Sequence, residues 1–271
     1  IMGMFDEQPI SYFDQFKNLK LIILIASGYD HLDFAYLKSR SVIVTNAKGI
    51  YDIQIAEDVI SKMLYFNKHM HLYEIQKNKH IWKHQGVQEE LYQKQALILG
   101  AGSIGKEVAK RLKGFDMEVI GYKRTFENLQ NFDEIITYLK ALNQYYKTCD
   151  YLIICLPLNQ YTESMIDSSV LNQLKKSALI VNIGRGEIID QDALIDALNT
   201  NRIRGAALDV TSPEPLPKKH PLWDAKNVYI TPHNASSSPK VDARRMQLMI
   251  KILNQYLKKE QMDNIVLKGD F

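Results

Sequence analysis

The chain predicts an α/β fold, with a doubly wound parallel sheet covered by helices and a second, smaller α/β lobe. Three observations carry that expectation. Short β-rich runs alternate with helical periodicities along the chain, which is the pattern of a parallel sheet built from βα units rather than of a sandwich. A glycine-rich turn, Gly100-Ala101-Gly102-Ser103-Ile104-Gly105, directly follows one β-rich run and opens a helical one. The 271 residues, 46% of them hydrophobic, are enough for a large core and two lobes.

Taken in order, residues 1–5 read as the tail of a buried strand. Parallel strands have neighbours, so an earlier strand and helix are expected before it, and the smaller lobe is N-terminally short. Further strands are expected at 21–25, 42–45, 96–99, 118–121, 151–156, 178–183, 206–210 and 228–230. Ile104, Val108 and Leu112 recur every four residues and define one face of a helix. Ala193, Leu194 and Leu198 do the same after Asp190, a suitable N-cap.

From 55 to about 71 the pattern Ala56, Val59, Ile60, Met63, Leu64, Phe66 runs without proline. It predicts a long helix that carries the crossing between lobes. Residues 240–259, with Met246, Met249, Ile250, Leu253 and Leu257 on one face, predict a second inter-lobe helix. Asp116 sits at a turn where glycine would be easiest, and Asp tolerates positive φ better than most residues.

Bulk properties remove several classes. A net charge of +3 in a chain with 24% charged residues forms no basic stripe, so nucleic acid is not an expected partner. Cys149 and Cys155 make no disulfide framework, which points to a reducing, cytoplasmic compartment. The apolar run 19–26, interrupted by Lys20, is too short to cross a bilayer, and the first residues lack the basic region and apolar core of a signal peptide. No metal is expected. His80 and His84 lie four apart and would share a helix face, but no carboxylate or cysteine completes a set.

The glycine turn is the first chemical signal. Glycine permits a tight turn and close backbone approach, and the following helix N-terminus offers unpaired N–H groups to a pyrophosphate. Between a strand and a helix, this turn predicts dinucleotide binding by Gly100, Gly102 and Gly105, with N–H groups from Ser103 and Ile104. An NAD enzyme ends its next strand with an acidic residue. Here the chain reads Tyr122-Lys123-Arg124-Thr125. Lys123, Arg124 and Thr125 would attract a 2′-phosphate, so NADP(H) is expected to be preferred, with NAD(H) as the alternative.

Three more stretches supply an arginine, a glutamate and a histidine: Asn182-Ile183-Gly184-Arg185-Gly186-Glu187, Ser212-Pro213-Glu214-Pro215-Leu216-Pro217 and Thr231-Pro232-His233-Asn234. An arginine fork clamps a carboxylate. A histidine backed by a glutamate passes a proton to or from a neighbouring oxygen.

With Ala26-Ser27-Gly28-Tyr29-Asp30-His31-Leu32, Val44-Thr45-Asn46-Ala47, Leu156-Pro157-Leu158 and Ala207-Leu208-Asp209-Val210 added in order, the chain resembles the D-isomer-specific 2-hydroxyacid dehydrogenase family. The resemblance implies a Rossmann-type sheet, a smaller flavodoxin-like lobe, and hydride transfer between nicotinamide and a 2-keto or 2-hydroxy acid. It implies that Arg185 binds the substrate carboxylate, that His233 is the general acid/base and that Glu214 pairs with the imidazole. Ser27, Gly28 and Tyr29 would form the substrate loop. Asp209 and the backbone at Ile183 would fix the carboxamide, Leu156 and Pro157 would border the adenosine, and Thr162 would touch phosphate or ribose.

On this reading 1–50 begins the substrate lobe, 51–235 is the dinucleotide domain and 236–271 returns to the substrate lobe. A homodimer paired through the helix near 55 suits the family. The basic residues after Tyr122 resemble family members that reduce glyoxylate or hydroxypyruvate with NADPH, and Glu214 in place of glutamine argues against formate oxidation. The rival is a non-catalytic dinucleotide-sensing scaffold or corepressor, because this family fold also serves such proteins and fold alone does not set function.

Overall fold

The computed structural model describes residues 2–4, 10–29 and 32–268. Ile1 and Phe5 of the first expected strand, and Asp30 and His31 of the family-like loop, lie outside them. The strands are β1 (Met2–Met4), β2 (Leu21–Leu24), β3 (Ile43–Thr45), β4 (Gln95–Leu99), β5 (Glu118–Tyr122), β6 (Glu134–Ile136), β7 (Tyr151–Ile154), β8 (Leu179–Asn182), β9 (Gly205–Leu208), β10 (Val228–Ile230) and β11 (Ile265–Leu267). The helices are α1 (Ile10–Asp14), α2 (Phe34–Ser39), α3 (Asp52–Asn67), α4 (Met70–Asn78), α5 (Ser103–Lys113), α6 (Leu142–Tyr146), α7 (Ser168–Leu171), α8 (Gln191–Asn199) and α9 (Val241–Leu257). The chain divides into two compact units, Ile1–Asp52 with Ser237–Phe271, and Ile53–Ser236.

The first unit holds a four-stranded sheet in the order β1-β2-β3-β11. Strands β1, β2 and β3 run parallel, and β11 is antiparallel to β3. All four residues of β2 are buried because both faces are covered. Ile22 and Leu24 pack with Phe13 and Leu37, and Leu21 and Ile23 with Ile252 and Met262. Helix α9 departs from the expected apolar face. Ile252, Leu248, Met249 and Tyr256 meet the core, while Met246, Ile250 and Leu257 are exposed. The core-facing stripe is rotated, and Lys and Gln between its members hid it from a simple count.

The second unit is a seven-stranded sheet in the order β10-β9-β8-β7-β4-β5-β6, parallel throughout. The order reverses between β4 and β7, which makes their carboxyl ends the topological switch point. Leu97, Ile98 and Leu99 are fully buried, each contributing about 1.5–3 kcal/mol of apolar burial and holding the end of β4 firmly. Asp190 caps α8 by accepting from Ala193 N at 3.0 Å.

The single long helix expected to about 71 is two helices. Asn67 ends α3: its side chain is buried in hydrogen bonds with the Tyr151 hydroxyl and Arg204, and its carbonyl accepts from Glu89 N. His69 then turns left-handed at φ +52°. His80 and His84 share no helix face, since both lie beyond α4. Asp116 does adopt positive φ, at +55°. Among the described residues, no helix is long and apolar enough to cross a membrane.

Candidate active site

The predicted cofactor and catalytic residues of the second unit gather at the carboxyl edge of its sheet. At the end of β4, Gly100 has φ +106°, and the N–H groups of Gly100 and Ala101 donate to the Tyr122 carbonyl at 3.0 and 2.9 Å. A Cβ on Gly105 would lie 2.3 Å from the Gly100 carbonyl oxygen, so only glycine lets the helix start against the turn. A Cβ on Gly102 would meet nothing within 4 Å. The cradle therefore faces open space over the α5 N-terminus, where Ser103 and Ile104 are the first two helical residues. Orphan N–H groups and the positive dipole end there suit a pyrophosphate.

At the end of β5, Lys123 is ion-paired with Glu127, which also takes Lys106 at 3.1 Å. The two ammonium groups hold Glu127 below the usual carboxylate range. Arg124 and Thr125 are exposed, and among the described residues Arg124 has no ion pair. A carboxylate thus stands beside the basic run in space, four residues downstream of Lys123, at the strand end where an NAD enzyme carries its acid. Its helix-like i, i+4 spacing from Lys123 was the available signal.

Beyond β7 come Cys155, Leu156 and Pro157. Thr162 Oγ1 donates to the Pro157 carbonyl at 2.7 Å and accepts from Asn159 N at 2.9 Å, so this hydroxyl ties the loop together. Burial pushes both the Cys149 and Cys155 thiols up to about 12, so neither offers a thiolate near neutral pH. After β8, Asn182 shapes the loop that carries Arg185: Oδ1 accepts from Gly184 N at 3.0 Å, and Nδ2 donates to the Arg185 carbonyl at 2.9 Å. Ile183 is buried, its N–H bonded to Ile154 O. Arg185 donates to the Gly184 carbonyl at 2.8 Å.

His233 follows β10 at φ +50°. Its Nδ1 lies 2.8 Å from Glu214 Oε2, and Glu214 Oε1 accepts from Thr211 N at 3.0 Å. A carboxylate only accepts, so Nδ1 carries the proton and Nε2 is left for a reacting oxygen. The pair borders a cavity of about 560 Å³ whose walls include Leu216, Trp223, Ile230 and Thr231. Leu216, Ile230 and Thr231 lie in stretches that the sequence marks, but only the fold turns them, with Trp223, toward one hollow. Asp209, 3% exposed, accepts from Thr231 Oγ1 at 2.6 Å and from Asn234 and Ala235 N–H at 3.1 and 3.0 Å. Its carboxylate thereby anchors the His233 loop.

Ser27, Gly28 and Tyr29 belong to the first unit. There Asn46 Nδ2 donates to the Ser27 carbonyl at 2.8 Å, and the Tyr29 ring packs 5.5 Å from Phe34. Among the described residues, no cluster of three or more His, Cys, Asp or Glu is arranged to hold a metal ion.

A doubly wound parallel sheet with a glycine cradle at its switch point and a His–Glu pair at the same edge defines a class, the nicotinamide-dependent oxidoreductases. Residues 60–235 match the family model described as D-isomer specific 2-hydroxyacid dehydrogenase, NAD binding domain. The chain belongs to the D-isomer-specific 2-hydroxyacid dehydrogenase family. It is 30% identical over 268 residues to a glyoxylate reductase of Pyrococcus furiosus, covering 94% of this chain and 78% of that one. Among solved structures, it superposes on a family protein from Aeromonas salmonicida with TM-score 0.84 and 29% identity, covering 94% and 81% of the two chains. An acyclic imino acid reductase in complex with NADPH and D-Arg gives TM-score 0.87 and 26% identity, covering 98% and 84%.

Proposed function

We propose that this protein reduces a small 2-keto acid of the glyoxylate or hydroxypyruvate type to the D-2-hydroxy acid, preferring NADPH. The observation that carries the reading is the 2.8 Å His233–Glu214 pair, on the sheet edge that also carries the glycine cradle and Arg185. Gly100, Gly102, Gly105, Ser103 and Ile104 would hold the dinucleotide, which supplies the hydride when bound. Arg185 binds the substrate carboxylate and places fixed positive charge near the oxygen that becomes negative. His233 donates the Nε2 proton to that oxygen, and the Glu214 carboxylate stabilises the imidazolium before transfer. By the family resemblance Ser27, Gly28 and Tyr29 are the substrate loop of the smaller lobe, residues 1–50 and 236–271.

NADPH preference rests on Lys123, Arg124 and Thr125 after β5, and the NADPH held by the imino acid reductase neighbour agrees with it. Glu127 competes for the same cations. A homodimer belongs to this reading, with the helix near 55 as one candidate pairing face and the segment after α4 as another. On α3, Ile53 is 39% exposed while Ile55, Val59, Ile60 and Met63 are buried, and after α4 Trp82 is 102% and Val87 91% exposed. Two free thiols suit a reducing, cytoplasmic setting.

Steady-state assays with glyoxylate, hydroxypyruvate and larger 2-keto acids against both cofactors test the proposal. Turnover with kcat/KM higher for NADPH is expected. Dinucleotide binding without turnover of any acid would transfer the protein to the sensing-scaffold reading.

A further inference from the structure

We propose that Lys62 is a positioning residue for His233, acting through Asp209. Lys62 lies on α3 among the buried Val59, Met63 and Phe66, and its side chain is 0% exposed. Apolar packing alone would favour a hydrocarbon there, since a buried ammonium is costly unless paired. Its charge sits between two carboxylates, with Asp58 one turn earlier in direct contact and Asp209 Oδ1 at 4.0 Å.

Asp209 holds both sides of His233. Its carboxylate accepts from Thr231 before the histidine and from Asn234 and Ala235 after it, and its own carbonyl accepts from His233 N at 2.8 Å. His233 stands at φ +50°, a sparsely populated conformation that persists only where surroundings over-determine it. Remove the ammonium, and Asp58 and Asp209 face each other with no counter-charge. Burial already pushes the Asp58 carboxyl up, and Asp209 adds to that push. The system then relaxes by taking up a proton or by moving the loop, and either change loosens the clamp on the imidazole. A displacement near 1 Å costs on the order of 10²-fold in rate.

The proposal rests on His233 being the acid/base group, so its test includes a readout that needs no turnover. In Lys62→Met, kcat should fall at least about tenfold, with KM and dinucleotide Kd nearly unchanged. The His233 ring signals, assigned in ring-labelled protein by comparison with His233→Gln, should move in chemical shift at a fixed pH, because the loop that the Asp209 carboxylate clamps carries the ring. Because Lys62 acts through Asp209, Lys62→Met in an Asp209→Asn background should add little further loss. Unmoved His233 ring signals in Lys62→Met overturn the proposal, whatever substrate the enzyme takes. If Lys62→Met does not fold, Asp209→Asn decides by the same signals, and an unmoved imidazole there sinks the idea equally. If the wild type reduces no keto acid yet the His233 ring signals move in Lys62→Met, the positioning role stands and only the proposed substrate falls.

Discussion

His233 and Glu214 form a pair in which neither side chain is buried, at 50% and 36% exposure. Their contribution therefore lies in orientation more than in a strong Coulomb energy. The carboxylate fixes the tautomer, and the Thr211 N–H fixes the carboxylate. Glu214→Gln keeps the shape but removes the charge that stabilises the imidazolium, and its amide oxygen or nitrogen can meet either tautomer. We expect kcat to fall by about 10–10²-fold, and by about 10²–10⁴-fold in His233→Ala, with dinucleotide Kd unchanged in both. Equilibrium fluorescence titration of the cofactor checks this. Loss of cofactor binding in His233→Ala would show that the residue supports the fold rather than the proton transfer.

At the scale of elements, the β4 turn with α5 and the end of β5 divide the cofactor task. The turn offers backbone N–H groups, which any dinucleotide engages, while the residues after Tyr122 choose between cofactors. Arg124→Asp should shift the NADPH/NADH ratio of kcat/KM toward NADH by about tenfold, the worth of one charge-assisted phosphate contact. Glu127→Gln should shift the same ratio toward NADPH by freeing Lys123 and Lys106 from their shared partner. An unchanged ratio in both variants would remove the 2′-phosphate from this loop. Strands β6 and β11, absent from the sequence expectation, have only three residues each. Each is placed by pairing with a neighbour, β5 and β3, rather than by a hydrophobic period of its own.

For the whole molecule, acid stability follows from carboxylates tied into the second unit. Burial pulls Asp133 upward, but the Val119 N–H and the Lys113 ammonium outweigh it and hold the carboxyl below its usual range. The Ser169 hydroxyl and the Val170 N–H do the same for Asp167 at the start of α7. A depressed pKa contributes stability that is complete above the unfolded value, near 3.8, and is lost as pH falls through the folded one. Urea midpoints should therefore respond little to these groups from pH 5 to 7 and drop below about pH 4. The difference between wild type and Asp133→Asn should be largest above about pH 4 and shrink below it. A constant difference down to pH 2.5, about a unit and a half below, would mean that the carboxyl titrates alike in both states.

Much of this architecture is written locally. Alternation of β-rich runs with helical periods, the glycine turn, the Asp190 cap and the strain-tolerant Asp116 each depend on a few neighbouring residues, so backbone sterics and hydrophobic period expose them without a fold. Arg185, Glu214 and His233 were legible as chemistry, because their residue types sit in short distinctive stretches. What only tertiary structure decided are the meetings of distant side chains: the Asn67 network with Tyr151 and Arg204 that stops α3, the rotated core face of α9, Glu127 between two lysines, and Lys62 against Asp209. These depend on which distant segments each of the two sheets, of seven and of four strands, brings side by side. Long-range pairing has no period along the chain, and a buried lysine in an apolar stripe reads as ordinary until the carboxylate opposite it is known.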